Sequence, residues 1–331
     1  MDRRTFTRAL AAGLALPTLA TASPALRRTQ NYPARLRKGD TVGLITPASY
    51  IDDKSLERAY RQIEGLGLTV KPGRYLRSER GFLAGVDRER LDDLHAMFAD
   101  RDVKAVWCAR GGYGSARLLP DLNYELIRRN PKILIGYSDI TALLNAITHE
   151  TGMITYHGPV GSSDFTPFTE RYLRNAVWEG EKWQRIEPAE RTKEQYVIHP
   201  GTAIGTIWGG NLSLLAAMVG TGVMPHLTGK LLFIEEVGEK PYRIDRMLTQ
   251  LRQAWNIQSA AGIVLGTFSD CEADPDDRSL TLRETLTDRL GELGIPVAYG
   301  MPIGHIKDMS TLPVGGQMRF NALDFYLDPA E

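Results

Sequence analysis

Short apolar runs of strand length alternate with longer amphipathic segments along most of the chain, and this alternation restricts the fold more than any other feature. Thr41-Val42-Gly43-Leu44-Ile45 reads as a buried strand, and helix-spaced apolar residues follow over 56–66 with Gly65 and Gly67 near the end. The pattern repeats as a strand at 68–70, a helix at 87–98, a strand at 103–109, a helix starting close to Ser115, a strand at 133–137 and a helix at 139–148. Strands linked through helices run parallel, and parallel strands are covered on both faces. The expected class is α/β, with a first parallel-sheet domain over 38–165.

The stretch from Trp178 to His199 is crowded with charge and has no clear period, so 166–199 is expected to be the linker region. A second domain over 200–331 follows, with strands at 202–208, 231–235, 263–266 and 296–299 and helices at 212–219, 242–254 and 280–293. Residues 317–327 read as a hairpin.

Ahead of these domains, Arg3-Arg4-Thr5-Phe6 precedes an apolar run over 9–20 and the small residues Ala20-Thr21-Ala22. This is the order of a twin-arginine signal peptide over 1–22, cut after Ala22, and it predicts a periplasmic protein. The apolar run is too short for a first reading as a membrane span, and no stable span is expected after cleavage. With Lys plus Arg and Asp plus Glu both at 40, no overall field would gather nucleic acid, so a peptide or small molecule is the expected partner. Cys108 and Cys271 are the only cysteines, and no Cys-x-x-Cys or His-Glu-x-x-His spacing occurs, so neither a disulfide framework nor a metal is expected.

The most pointed chemistry lies where the strand at 103–109 runs through Arg110-Gly111-Gly112-Tyr113-Gly114 into Ser115. A strand, a glycine turn and a serine at a helix start would display a hydroxyl at the carboxyl edge of a parallel sheet, beside backbone N–H groups suited to an oxyanion. The same turn also suits a serine that only caps a helix, or a phosphate cradle. Arg117 stands where either glycine fingerprint would place its last glycine. For a base, His305 in Gly304-His305-Ile306 and His157 in Tyr156-His157-Gly158-Pro159 are both on glycine-bounded loops after strands. The apolar strand Leu231-Leu232-Phe233-Ile234 runs into Glu235-Glu236; alternation lets only one of the two acids face a site, and a solvated acidic turn fits Glu236 better.

Six segments together resemble the LD-carboxypeptidase (muramoyltetrapeptide carboxypeptidase) family, serine peptidase family S66. They are Arg110-Gly111-Gly112-Tyr113-Gly114-Ser115, Ile135-Gly136-Tyr137-Ser138-Asp139-Ile140-Thr141, His157-Gly158-Pro159, Trp208-Gly209-Gly210-Asn211-Leu212, Ile234-Glu235-Glu236-Val237-Gly238-Glu239-Lys240-Pro241-Tyr242-Arg243 and Gly304-His305. They occur in family order over essentially the whole mature chain. The resemblance implies a Rossmann-like nucleophile domain, a smaller swivelling β/α domain and a homodimer. It also implies a triad of Ser115 as nucleophile, Glu235 as orienting carboxylate and His305 as base, without metal or cofactor. The implied reaction releases terminal D-alanine from a murein tetrapeptide, whose scissile bond starts at the L-centre of a diamino acid.

For that chemistry Ala116 N–H is the expected oxyanion donor, with Gly85 as a second. Arg110, Tyr113, Asp139, Trp208, Asn211 and Arg243 are the expected substrate contacts, together with Arg117 and Arg246 for carboxylates. Two other readings fit the pattern: a microcin-immunity-type amidase with the same triad, and a non-catalytic periplasmic binding protein.

The leader reading is tested by replacing Arg3 and Arg4 with lysine. Precursor should then remain in the cytoplasmic fraction; undiminished periplasmic protein would exclude twin-arginine routing.

Overall fold

The computed structural model describes residues 31–330, so the signal segment expected at 1–22 lies outside the described residues. The first unit comprises β1 (Thr41–Ile45), α1 (Asp53–Gly65), β2 (Thr69–Pro72), α2 (Asp87–Ala99), β3 (Val103–Cys108), α3 (Tyr124–Arg129), β4 (Ile133–Gly136), α4 (Thr141–Thr151) and β5 (Thr155–His157). Its strands lie in the order β2-β1-β3-β4-β5, all parallel. Every residue of β4 is buried, as a central strand with both faces covered requires. On α1 the spaced residues Leu56, Ala59 and Ile63 are buried, and the Asp52 carboxylate caps the start by accepting from Ser55 N–H.

Two local expectations are corrected. The segment after Ser115 is a 3-10 turn (Ser115–Asp121) with Pro120 inside it, which denies an α-helix the N–H it needs there. Within the stretch expected to be linker, α5 (Pro167–Val177) forms, capped by Thr166 and started by a proline at its first turn. Its Leu173, Ala176 and Val177 pack with Leu44 and Trp107 of the first sheet. No helix or strand follows until β6 (Tyr196–His199).

The second unit continues with β7 (Thr202–Asn211), α6 (Leu212–Met218), β8 (Lys230–Val237), α7 (Pro241–Ala254), β9 (Gly262–Ser269), α8 (Leu282–Leu290), β10 (Val297–Tyr299), β11 (Leu312–Val314), β12 (Gln317–Asn321) and β13 (Tyr326–Pro329). Its sheet runs β13-β12-β7-β8-β9-β10-β6, parallel from β7 to β10 and antiparallel at its flanks. β11 leaves this sheet and pairs antiparallel with β5, with Leu312 opposite His157. A late segment of the chain thereby completes the edge of the first sheet.

One apolar core crosses the seam between the units, with Leu143 and Ile147 of α4 joining Ile207 of β7 and Phe233 of β8. Polar pins set the register: Asn145 Nδ2 donates to Gly209 O at 2.8 Å, and Asn211 N donates to Thr141 Oγ1 at 3.0 Å. No helix among the described residues is long and apolar enough to cross a membrane.

His157 sits in this seam, fully buried, its ring 5.0 Å from that of Phe233 and neither ring nitrogen hydrogen-bonded to a described residue. Burial, helped by the charge of His305, pushes its imidazole down to about 3. The unfolded chain protonates this ring at an ordinary value of about 6.5, so between there and about 3 the unfolded state binds the extra proton and stability falls as pH falls. His157→Phe should therefore flatten the slope of unfolding free energy against pH by up to about 1.4 kcal/mol per unit over pH 4–6. Urea titrations of both proteins across that window check it; an identical slope would mean the buried ring is protonated alike in both states.

Candidate active site

β4 ends in an abrupt reversal. Tyr137 is extended (φ −150°), Ser138 takes the left-handed conformation (φ 62°), and a 3-10 turn (Ser138–Ile140) leads straight into α4. Few non-glycine residues adopt that backbone, and holding one there costs on the order of 1–3 kcal/mol. Strand, left-handed serine and helix start together have the geometry of a nucleophile elbow, a turn that lifts a hydroxyl above the carboxyl edge of a sheet. The glycine turn after β3 lies against it: a Cβ on Gly111 would come 3.0 Å from Ser138 Cβ, tighter than ordinary contact, so a side chain there would press on the serine.

The second unit supplies an imidazole and a carboxylate. Glu235, at the carboxyl end of β8, is fully buried and accepts from His305 Nδ1–H at 2.7 Å, leaving Nε2 as the ring's other nitrogen. His305 reaches it because Gly304 (φ 115°) precedes it; a Cβ there would meet Glu235 Cβ and Oε2, both at 2.9 Å. Burial raises the Glu235 carboxyl above its ordinary value, and the hydrogen bond and charge of His305 pull it back down. Neighbouring Glu236 is committed elsewhere, accepting from Asn211 Nδ2 at 2.9 Å, Ser213 N at 2.8 Å and Val237 N at 2.8 Å.

Ser138 and His305 line one pocket of about 440 Å³, with Tyr137, Gly111, Gly112 and Arg110 also in its wall. The Tyr137 ring lies 4.9 Å from that of His305. The arrangement offers a hydroxyl on a strained turn, an imidazole and a buried carboxylate that fixes its tautomer, the parts of acyl transfer. Among the described residues no group of three or more His, Cys, Asp or Glu is placed to hold a metal. A larger hollow of about 530 Å³, lined by Lys240, Tyr242 and Arg278 among others, contains none of these groups.

Ser115 is not the exposed nucleophile that its glycine turn suggested. It is fully buried, its N–H donates to Asp139 Oδ2 at 2.8 Å and its hydroxyl donates to the Asp139 carbonyl. Ala116 N–H, expected beside an exposed nucleophile, follows a serine that is fully buried. Asp139 is correspondingly no ammonium site: it is buried and turned to the glycine turn, its carboxyl raised by burial and lowered by the Ser115 and Gly114 N–H groups. Gly85 serves the start of α2, where Glu89 Oε2 accepts from Val86 N–H at 2.9 Å and leaves no room for a Cβ on Gly85.

The expected substrate contacts divide in the same way. Arg110 lines the pocket, and Tyr113 stands exposed beside Phe82 with ring centroids 5.4 Å apart. Trp208 is buried against His149, and Asn211 is buried capping α6 through Leu214 N–H, so both are scaffold. Arg117 pairs with Asp87 at 2.7 Å and Arg243 with Glu239 at 3.3 Å; neither lines the pocket. Sequence reasoning passed over Ser138, although Gly136-Tyr137-Ser138 follows an unbroken apolar strand and keeps the first half of the G-x-S-x-G pattern.

Residues 42–158 match the family model described as the LD-carboxypeptidase N-terminal domain, and 204–320 match the LD-carboxypeptidase C-terminal domain. The chain is 43% identical over 300 residues to a probable murein peptide carboxypeptidase of Bacillus subtilis, covering 89% of this chain and 93% of the relative. It is 35% identical over 281 residues to the murein tetrapeptide carboxypeptidase of Pseudomonas aeruginosa, covering 83% and 91%. Among solved structures, a muramoyltetrapeptide carboxypeptidase from Oxalobacter formigenes aligns with TM-score 0.76 at 32% identity over 87% of this chain and 97% of that one. An MccF-like protein from Bacillus anthracis aligns with TM-score 0.80 at 31% identity over 89% and 98%. Both halves of the chain, and the α/β architecture that joins them, place it in the LD-carboxypeptidase family.

Proposed function

We propose that this chain is a serine LD-carboxypeptidase that hydrolyses the bond between the L-centre of a diamino acid and terminal D-alanine in murein tetrapeptides, with Ser138, not Ser115, as its nucleophile. The observation that carries the assignment is the left-handed Ser138 in the same pocket as the His305–Glu235 pair. The relatives from Bacillus subtilis and Pseudomonas aeruginosa, named for murein peptides, support the substrate class over microcin-type amides.

His305 Nε2 takes the Ser138 proton as the hydroxyl oxygen attacks the amide carbonyl. Asp139 N–H, at the open start of the turn that follows the nucleophile, and the Gly111-Gly112 backbone are the donors for the oxyanion. The imidazolium, held in place by Glu235, then protonates the leaving D-alanine amine, and water attacks the acyl-Ser138 ester with His305 again as base. The Arg3-Arg4 leader supports twin-arginine export and work in the periplasm, and the family resemblance supports a homodimer, which sedimentation of the mature protein reads directly.

Ser138→Ala should lower kcat for D-alanine release by about 10³- to 10⁶-fold, and Glu235→Gln by about 10⁴-fold. Ser115→Ala removes one buried hydrogen bond, costs about 1 kcal/mol of stability and should keep turnover within about tenfold of wild type. Single-turnover assays on a defined muropeptide, with melting curves, separate these variants. A dead Ser115→Ala beside an active Ser138→Ala would restore the other serine.

A further inference from the structure

The pocket that holds Ser138 and His305 is lined by two arginines and by no carboxylate, in a chain whose net charge is zero. Arg58 comes from α1 and Arg110 from the end of β3, and the serine chemistry has no use for either cation. Each is half-buried, and each has one exposed carboxylate in its neighbourhood, Asp164 for Arg58 and Asp52 for Arg110. Arg58 Nη1 donates to Ser162 O at 3.4 Å and lies 3.7 Å from the exposed Asp164 carboxylate. Arg110 Nη1 donates to Tyr50 O at 2.9 Å. The Nε and Nη2 donors of both guanidinium groups have no hydrogen-bond partner among the described residues. Two like charges facing one pocket repel, and a planar fork with free donors matches a carboxylate in bidentate fashion. A peptide cut one residue from its end carries such a carboxylate, two bonds beyond the amide nitrogen that departs.

Resting on Ser138 and His305 as the reacting centre, we infer that Arg58 and Arg110 clamp the terminal carboxylate of the substrate and thereby make the enzyme cut one residue from a free C-terminus. The carboxylate is that of the departing D-alanine. A diaminopimelate side chain offers the same chemistry from another part of the peptide, and the choice of ligands must tell the two apart.

Calorimetric titration of Ser138→Ala reads recognition without turnover. The ligands are a lysine-type tetrapeptide ending in D-alanine, the same peptide ending in D-alaninamide, and a diaminopimelate-type tetrapeptide ending in D-alanine. The amide should bind about 10- to 100-fold more weakly than the matching acid. Adding Arg58→Met or Arg110→Met should weaken the acid by about tenfold or more and narrow the gap between acid and amide, while Arg58→Lys should keep part of it. Melting curves verify that each variant is folded, and Arg58→Gln provides a second substitution should the methionine fail.

Equal affinity for acid and amide would overturn the clamp, as would a gap that persists in both arginine variants. A loss seen only with the diaminopimelate peptide would also overturn it, placing the arginines at that side chain. Turnover surviving in Ser138→Ala is a separate result: it would overturn the nucleophile assignment, and the acid-to-amide comparison would still decide the clamp.

Discussion

The site exists only because the two sheets are docked at α4. Ser138 belongs to the first unit and the His305–Glu235 pair to the second, so neither half carries the chemistry alone. The contacts that set the docking start three residues after Ser138, where Thr141 Oγ1 accepts from Asn211 N–H and Asn145 Nδ2 donates to Gly209 O. The apolar core across the seam supplies most of the energy, but it is non-directional and would tolerate a shifted register. The buried polar pins do not tolerate it, because a slip leaves a backbone N–H and an amide unpaired away from water. The helix that fixes the domains is the helix that the nucleophile elbow opens, and orientation of the serine follows from orientation of the sheets.

A second constraint holds the glycine turn against the elbow. Asp139 grips it through Ser115 N–H, and the buried Arg90 donates from Nη1 to Gly114 O at 2.8 Å and to Pro47 O at 2.6 Å while pairing with Asp87. Burial works against both charges, raising the Asp139 carboxyl and lowering the Arg90 guanidinium, and the hydrogen bonds offset it. A turn held from two sides can keep Gly111 close to Ser138 without moving aside. Ser115 belongs to this clamp, which accounts for its lack of exposure.

What could be read from the chain follows the range of each interaction. Period and strand length are local, and they located the parallel sheet and most helices to within a few residues. That Glu235 and Glu236 would have different surroundings was legible for the same reason, although the solvated turn expected of Glu236 is a buried carboxylate held by Asn211 and Ser213 beside a register irregularity in β8. The choice between Ser115 and Ser138 was not. Both follow a buried strand and precede a helical turn, and the deciding facts are a positive φ at one and an Asp139 contact at the other, 24 residues apart in sequence. Trp208 and Asn211 misled similarly, because the partners that bury them, His149 and Glu236, lie far along the chain. α5 was obscured by the charged stretch after it, and β11 by pairing with a strand of the other unit.

The burial of Glu235 adds a reason for this division of labour. A carboxylate with no exposed surface is costly to keep charged, and its raised pKa records that cost. His305 offsets part of it through a single hydrogen bond at Nδ1. In the proposed reaction the ring takes the Ser138 proton, and the same 2.7 Å contact to the buried carboxylate becomes an ion pair whose charges attract more strongly than at the surface. The gain arrives as charge develops, so it lowers the barrier and not the ground state, which is the condition for an interaction to raise kcat. A solvent-exposed acid at the same distance would hold the imidazole as well and stabilise the imidazolium less. Glu235 is therefore buried at the price of resting stability.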